Sequence, residues 1–381
     1  MIPYGRQDIT ADDIAAVVGT LQSAWLTQGP TIPRFEKMLA GRCGAAEAVA
    51  ANSATSILHI ACLALGVGPG DRVWTSPNTF VASANCARYC GAEADFVDID
   101  PETGNMSVSA LEEKLALAAR DNKLPKVVIP IHFAGQPCDM VEIAALGRRY
   151  GFRIIEDAAH ALGAEYGGGK VGDGRFSDIT VFSFHPVKLI TTGEGGAALT
   201  NDPGLAHRLR LLRSHGITRE PDEMTDLSQG EWYYEQIGLG YNFRMTDFQA
   251  ALGVSQLSRL DGFLARRREL AVRYDELLAC LPVRPLARAE GRISAWHLYV
   301  VRLASERRRA VFDAMRRRDV QVHVHYLPVC NQPYYRHLGL GPGTCPEADR
   351  YYAEALTLPL FPSLSEEEQD YIVASLREVL A

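Results

Sequence analysis

The sequence has no hydrophobic run long enough to cross a membrane and no excess of positive charge. No stretch of about 18 consecutive apolar residues occurs, so no membrane-spanning helix is expected. Its 39 Lys and Arg are outnumbered by 46 Asp and Glu, which gives a net charge of −7. A general nucleic-acid binder neutralises phosphates with Lys and Arg, so this balance argues against that class of protein. A local basic pocket for one phosphorylated substrate is still compatible with it.

Paired cysteines and metal-ligand spacings are also missing. The eight cysteines are scattered without a CxxC pair, and Cys86 and Cys90 are expected to pack on one face of a helix. Thiols used as small apolar residues are typical of a reducing compartment, and no signal peptide is visible, so a cytoplasmic protein is expected. His323 and His325 would share one face of a strand, but no third ligand accompanies them. No metal site is predicted.

Strands and helices alternate along the first half of the chain, which predicts βαβ crossovers and an α/β fold with a mainly parallel mixed sheet. After residue 200 the pattern changes to long helices and shorter elements, including an alternating strand expected at 320–326. With 381 residues, two domains are expected. We predict a large α/β domain at 1–250 and a smaller C-terminal α/β domain at 251–381. Residues 1–14 are expected to pack on the small domain.

Two residues capable of chemistry follow predicted strands, at the sheet edge where such folds bind ligands. Asp157 comes after an apolar strand, where a carboxylate needs a cationic partner such as the protonated ring nitrogen of a pyridinium cofactor. The alternative is that Asp157 caps a helix. Lys188 stands between a strand and a Thr/Gly-rich loop, where nearby apolar groups would lower its pKa and favour an amine nucleophile. The alternative is a solvated lysine in a turn.

A third feature is a set of small polar residues that would form a phosphate cradle. The segment NSATS at 52–56 opens a buried helix, and Ser183 lies five residues before Lys188. N–H groups at a helix N-terminus bind phosphate together with hydroxyls, although helix capping by Ser53 or Thr55 is the alternative. The aspartate, the lysine and the cradle are together what a protein must supply to pyridoxal 5′-phosphate (PLP). The sequence therefore predicts a PLP enzyme.

Nearly the whole chain resembles one known family. The motifs that carry the resemblance are LTQGPTIPRFE, NSATSILHIACLALGVGPGD, SPNTFVASAN, EDAAHALGAEY, SFHPVK, TTGEGGAALTND, RSHGI, YNFRMTDFQAALGVSQL and HVHYLPV. They resemble the DegT/DnrJ/EryC1/StrS sugar aminotransferases of PLP fold type I. Within that family, IPYGRQ, FVDIDPETGN and QPYYR are similar to the pseudaminic-acid branch. That branch aminates C4 of a UDP-linked 2-acetamido-2,6-dideoxy-4-ketohexose, with L-glutamate as donor.

The resemblance implies roles for individual residues. Lys188 would be the Schiff-base lysine and Asp157 the partner of the pyridine nitrogen. Phe80 would stack on the ring, and His160, where many relatives carry Gln, would contact the ring or its O3′. The phosphate would be held by Ala54, Thr55 and Ser183, and by Asn242 of the partner subunit in a homodimer with shared active sites. The nucleotide-sugar site would be lined by Tyr4, Trp25, Leu26, Thr27, His325 and Tyr326.

Several alternatives stay open on the sequence alone. Sugar dehydratases of this fold carry histidine in place of the Schiff-base lysine, so Lys188 disfavours them. Another transaminase branch, of the bacillosamine or lipid A type, is a second possibility. A non-enzymatic regulator would need an appended helix-turn-helix, which the chain lacks. Arg213 and His215 would either approach the substrate or cap a helix end. The glycine-rich segment 166–174 is interpreted as a hairpin rather than a dinucleotide-binding loop.

Overall fold

The structure, a computed structural model, describes residues 1–381 and contains thirteen α-helices and fifteen β-strands. The helices are α1 (Ala11–Leu21), α2 (Thr31–Cys43), α3 (Ala54–Ala64), α4 (Ala82–Tyr89), α5 (Val108–Arg120), α6 (Met140–Tyr150), α7 (Pro203–Arg213), α8 (Asp247–Ser258), α9 (Leu260–Leu278), α10 (Ser305–Arg317), α11 (Pro333–Arg336), α12 (Pro346–Glu354) and α13 (Glu366–Leu380). The strands are β1 (Glu47–Ala51), β2 (Arg72–Thr75), β3 (Glu93–Phe96), β4 (Val127–Ile129), β5 (Arg153–Asp157), β6 (Glu165–Tyr166), β7 (Gly169–Lys170), β8 (Ile179–Ser183), β9 (Gly196–Thr200), β10 (Ile217–Thr218), β11 (Glu235–Gln236), β12 (Arg284–Pro285), β13 (Arg292–Ile293), β14 (Tyr299–Arg302) and β15 (Ala355–Leu358).

A seven-stranded sheet forms the centre of the first half of the chain, in the order β1-β9-β8-β5-β4-β2-β3. The five strands from β8 to β3 are parallel, and β9 runs antiparallel between β8 and β1. Helices α4, α5 and α6 connect successive parallel strands, as βαβ crossovers require. The prediction of an α/β fold with a mainly parallel mixed sheet is confirmed.

The central sheet is covered on both faces, because neighbouring residues of its strands enter different hydrophobic cores. Val181 of β8 belongs to a core with α3 and α7, whereas the next residue, Phe182, belongs to a core with α2 and α8. Ala198 and Leu199 of β9 divide in the same way. Side chains alternate between the faces of a strand, so both faces need apolar residues. This explains the nearly continuous apolar strands of the sequence.

A second, smaller sheet lies in the C-terminal part, in the order β12-β14-β15 and wholly antiparallel. It shares a hydrophobic core with α9, α10 and α13, and Ile2 is buried in that core and paired with Val320. Leu257 and Phe263, from α8 and α9, belong instead to the core of the large sheet. We propose that the division falls near residue 250, with α8 and α9 forming the connection.

The prediction of a strand at 320–326 is wrong. The segment makes two isolated bridges, in which Val320 pairs with Ile2 and His323 pairs with Thr357. The ladder stops there because later N–H groups bind side chains: Val324 donates to Nδ1 of His323 at 2.8 Å, and Tyr326 donates to Oδ1 of Asn78 at 3.2 Å. Its alternating pattern therefore reflects contacts with both halves of the protein rather than a sheet.

The glycine-rich segment at 166–174 begins as the expected hairpin. Strands β6 and β7 pair antiparallel around Gly167 and Gly168, whose φ angles of 54° and 78° lie in the left-handed region that favours glycine. Strand β13 pairs with the other edge of β6. None of the helices combines the length and the apolar character that a membrane crossing requires.

Candidate active site

The site lies where β5 and β8 end side by side. These strands are parallel, and Asp157 at the end of β5 is in register with Val181 of β8. After Ser183 the chain forms a tight loop, in which the N–H of Lys188 donates to the carbonyl of His185 at 2.9 Å and that of Thr192 donates to the carbonyl of Phe184 at 3.0 Å. Asp157 and Lys188, which the sequence analysis singled out for their chemistry, thus follow the ends of neighbouring strands.

Asp157 is buried and held by two hydrogen bonds. Its Oδ2 accepts from the hydroxyl of Ser83 at 2.6 Å, and its Oδ1 accepts from the N–H of Ala159 at 3.1 Å. Turns rather than an α-helix follow it, so the interpretation of Asp157 as a helix cap is wrong. A carboxylate fixed in this way retains capacity to accept from a further donor.

Lys188 is half-buried, unlike a solvated lysine in a turn. Desolvation lowers its pKa from the usual 10.5 to about 8, although the Asp157 carboxylate acts in the opposite direction. About a tenth of the amine is therefore uncharged at pH 7, far more than for an ordinary lysine. An uncharged amine can act as a nucleophile or as a base.

The first turn of α3 presents free N–H groups beside β8 and β9. Ser53 caps the helix by accepting from the N–H of Ser56 at 3.0 Å, which leaves the N–H groups of Ala54 and Thr55 without a partner. Ser183 is in register with Gly196. A Cβ at Gly196 would collide with the backbone nitrogen of Ala54, so only glycine permits this approach. The arrangement suits an anion such as a phosphate.

His160 completes this part of the site as a neutral imidazole. Burial lowers its pKa well below the usual 6.5, and the positive charge of Lys188 lowers it further. Its Nε2 shares a 3.3 Å hydrogen bond with the hydroxyl of Tyr326, while its buried Nδ1 has no partner. An unpaired buried nitrogen next to a lysine amine is a place where an incoming polar group gains a hydrogen bond.

Three of the residues predicted to line the nucleotide-sugar site form a row of neighbouring rings that begins next to His160. The rings of Tyr326 and His325 lie 4.8 Å apart between centroids, and those of His325 and Tyr4 lie 5.3 Å apart. Nδ1 of His325 shares a 2.9 Å hydrogen bond with the hydroxyl of Thr357. The N-terminal segment and the segment around residue 325 thus meet the strand ends of the large sheet.

The remaining predicted residues are not brought into contact with this group within one chain. Phe80 is 61% exposed, although it lies only three residues before Ser83. Asn242 is exposed and makes no side-chain hydrogen bond. The exposed segment Trp25, Leu26 and Thr27 lies at the start of α8, where Thr27 pairs with Thr246 and the carbonyl of Leu26 accepts from the N–H of Asp247.

The sequence left open whether Arg213 approaches the substrate or caps a helix end, and in the structure it forms an ion pair instead. Nη1 of Arg213 donates to Oε1 of Glu36 at 2.6 Å and to the carbonyl of Ala50 at 2.7 Å. Arg213 therefore links α7 to α2 and β1 through an ion pair. His215 follows in the left-handed region, with a φ of 63°, and its N–H donates to the carbonyl of Tyr241.

Sequence reasoning missed three residues of the site: Ser83, Asn78 and His297. Asn78 and Ser83 follow the end of β2. Polar residues that follow a parallel strand lie at the ligand-binding edge of such a sheet, so their position could have predicted a role in the site. His297 lies in the C-terminal part, and its ring centroid is 4.3 Å from that of His160. Because 137 residues separate the two histidines in the chain, no local pattern marks this contact.

The geometry agrees with the results of comparison with known proteins. The chain is 39% identical to the spore coat polysaccharide biosynthesis protein SpsC of Bacillus subtilis, covering 100% of the chain and 97% of SpsC. Helicobacter pylori PseC, an aminotransferase involved in the biosynthesis of pseudoaminic acid, has a structure that superimposes with a TM-score of 0.91 at 30% identity, covering 100% of this chain and 99% of PseC.

A further similar structure is that of Spr1654 from Streptococcus pneumoniae, whose PMP form gives a TM-score of 0.91 at 33% identity, covering 100% of this chain and 99% of that one. Spr1654 is also known in a PLP form. The profile of the DegT/DnrJ/EryC1/StrS aminotransferase family matches residues 7–377. The cofactor is pyridoxal 5′-phosphate, and the chain belongs to the DegT/DnrJ/EryC1/StrS family of PLP-dependent sugar aminotransferases.

Proposed function

We propose that this sugar aminotransferase moves the amino group of L-glutamate to C4 of a UDP-linked 2-acetamido-2,6-dideoxy-4-ketohexose, the reaction of the pseudaminic-acid branch. The observation that carries the assignment of the site is the position of the Lys188 amine, with its lowered pKa, beside the buried Asp157 carboxylate. The resemblance to the pseudaminic-acid branch and the similarity to PseC support the choice of sugar.

The residues at the strand ends fit the cofactor. Bound PLP supplies an aldehyde that takes up an amino group and a ring that accepts electron density. We assign to Asp157 the task of keeping a proton on the ring nitrogen, with Ser83 holding its carboxylate in place. The free N–H groups of Ala54 and Thr55 and the hydroxyl of Ser183 would hold the phosphate. His160 offers its unpaired Nδ1 to a polar group of the cofactor.

Lys188 is assigned the proton transfers. With PLP bound, the Lys188 amine would take the proton from the α-carbon of glutamate; the cofactor would keep the amino group, and water would supply the keto oxygen of the departing 2-oxoglutarate. In the second half of the reaction the same amine would deliver a proton to C4 of the sugar, which would receive the stored amino group while its keto oxygen leaves as water. A pKa of about 8 suits both directions, because the amine is then populated in both protonation states near neutral pH.

The active site is proposed to be shared between the subunits of a homodimer. Asn242, Trp25 and Leu26 are exposed in the single chain and make no hydrogen bond or ring contact with the Asp157–Lys188–His160 group. In the proposed dimer, Asn242 of the partner subunit reaches the phosphate. The segment 25–27 joins Tyr4, His325 and Tyr326 in lining the sugar-nucleotide site.

A second candidate is a transaminase for another nucleotide-linked 4-keto sugar, such as one of the bacillosamine or lipid A type. The identity to SpsC is higher than that to PseC, at 39% against 30%. Incubation of the PLP-loaded protein with L-glutamate and a panel of UDP-4-ketosugars distinguishes the two. Mass and NMR analysis of the product gives the position and configuration of the new amine. A 4-amino product from the L-configured 2-acetamido-2,6-dideoxy-4-ketohexose alone supports the first candidate, and turnover of only its D-configured counterpart or of another panel member supports the second.

A further inference from the structure

His297 contributes a second buried imidazole next to Lys188. Its ring lies at 45° to that of His160, with a centroid distance of 4.3 Å, and the side chain is buried. Like His160, it has a buried Nδ1 without a partner. Burial lowers the pKa of His297 well below its usual value, and the neighbouring His160 and Lys188 lower it further. Two adjoining neutral rings that each have a buried Nδ1 without a hydrogen-bond partner are uncommon in a protein core.

The backbone that carries His297 is bent to bring it there. Trp296 has a φ of 52°, a left-handed conformation that a bulky residue rarely adopts, and Ala134 opposite it has a φ of 56°. The N–H of His297 donates to the carbonyl of Ala134 at 3.0 Å. A Cβ on Gly135 would come within 2.9 Å of the carbonyl oxygen of His160 and the nitrogen of Trp296. Backbone strain of this kind persists where the surrounding structure fixes it, often at functional sites.

A buried arginine holds the same segment from behind. Arg267 is 1% exposed, and its Nη1 donates to the carbonyls of Trp296, His297 and Leu360 at 3.2, 3.3 and 2.9 Å. All three carbonyl oxygens accept from the same guanidinium group, and two of them belong to the bent segment 296–297. The position of His297 is therefore fixed by α9 as well as by the turn at Ala134.

We propose that His297 is a positioning residue of the cofactor site, and that contact with its imidazole holds His160 so that Nε2 meets Tyr326 and Nδ1 stays free for a polar group of the cofactor. The inference rests on the proposed function, because it requires PLP to bind beside Lys188. The inference goes beyond the proposed function because it makes His297, in the C-terminal part, responsible for the orientation of His160, which follows a strand of the large sheet.

Four variants test this proposal in the PLP-loaded protein. His297→Phe keeps a buried ring without nitrogen atoms, and His297→Asn places an amide near the position of Nδ1. Leu298→Met, at a buried neighbour in the same segment, controls for general disturbance of packing. His160→Gln removes the imidazole that His297 contacts. The measurements are the dissociation constant for PLP, the visible absorption spectrum of the bound cofactor and the melting temperature of the apoprotein.

We expect His297→Asn, which removes the ring that contacts His160, to weaken PLP binding about tenfold and to alter the spectrum, a coupling typical of residues in contact. His297→Phe, which keeps a ring at this position, should stay within about threefold of wild type, and Leu298→Met should match wild type within about twofold. In the His160→Gln background, His297→Asn should lose most of its effect. The proposal is overturned if His297→Asn behaves like Leu298→Met, if Phe is no better than Asn, or if the effect is the same in both backgrounds.

Two further controls keep these outcomes clear. If His297→Phe does not fold, as judged by its melting curve, the comparison of His297→Asn with Leu298→Met in both backgrounds decides the question. A failure of the proposed cofactor site would be seen separately, because wild-type protein would then carry no cofactor attached to Lys188, whereas a different sugar substrate would leave all of these measurements unchanged.

Discussion

The hydroxyl of Ser83 donates a 2.6 Å hydrogen bond to Oδ2 of Asp157, joining the first turn of α4 to the end of β5. Both side chains are buried, so the carboxylate accepts a hydrogen bond from a fixed hydroxyl where an exposed carboxylate would accept from water. The contact spans 74 residues of sequence and was not predicted, although it supports the carboxylate on which the proposed chemistry depends.

Ser83→Ala should lower the free energy of unfolding of the apoprotein by about 2 kcal/mol, because a hydrogen bond to a buried charged group is lost. We also expect weaker PLP binding, by about tenfold, since Asp157 is no longer held in one orientation. Chemical denaturation and a cofactor titration measure the two effects. Ser109→Ala, at an exposed position of α5, is the matched control, and equal behaviour of the two variants would refute the assigned role of Ser83.

The reaction of the apoprotein with PLP should depend on pH through Lys188. Its amine is protonated and unreactive below its pKa of about 8, so the rate of attachment should rise with pH and level off above that value. An ordinary lysine would level off only near 10.5. Because the Asp157 carboxylate raises the pKa of Lys188, Asp157→Asn should move the midpoint to lower pH. Stopped-flow absorbance across the pH range measures both midpoints. A wild-type midpoint near that of free lysine would contradict the burial argument.

Gly196→Ala should disrupt the phosphate cradle. The new Cβ would collide with the backbone nitrogen of Ala54, so the first turn of α3 must move away from β9. We expect loss of PLP affinity by at least about tenfold, and of stability by about 1–3 kcal/mol, as for other overpacked sites. Gly262→Ala is the control: its Cβ meets nothing within 4 Å, and alanine is favoured in a helix by about 1 kcal/mol. Isothermal titration with PLP and thermal unfolding distinguish the variants.

Mixing two inactive variants tests the shared active site. Lys188→Ala removes the amine, and Asn242→Ala removes a phosphate contact that is proposed to cross to the other subunit. In a hybrid dimer one site carries both changes and the other carries neither. Equal mixing after dissociation should therefore restore up to about a quarter of the wild-type sites, because about half of the dimers are hybrids. Activity no higher than the average of the two parents would show that each site uses one chain only.

The sequence was most informative where physical rules act locally. The alternation of apolar strands with helices predicted the parallel sheet, since such strands are buried on both faces. Parallel strands end at one edge, so Asp157 and Lys188 could be expected to meet there although 31 residues separate them. The free N–H groups of Ala54 and Thr55 follow in the same way from the position of the helix start.

Contacts between distant parts of the chain were beyond such rules. The strand expected at 320–326 does not form because Asn78, far away in the chain, binds the N–H of Tyr326. The ion pair of Arg213 with Glu36 and the ring contact of His297 with His160 likewise join segments more than a hundred residues apart. No periodicity or spacing in the sequence predicts these pairings, because they form only when distant segments pack together in the folded chain.

The most direct test of the proposed site is reduction of the PLP-loaded protein with borohydride, followed by digestion and mass spectrometry. Borohydride converts a carbon–nitrogen double bond between lysine and cofactor into a stable single bond. We predict that the cofactor mass is found on the peptide containing Lys188 and is absent when Lys188→Ala protein is treated in the same way. A wild-type protein that binds PLP but leaves Lys188 unmodified would contradict the account.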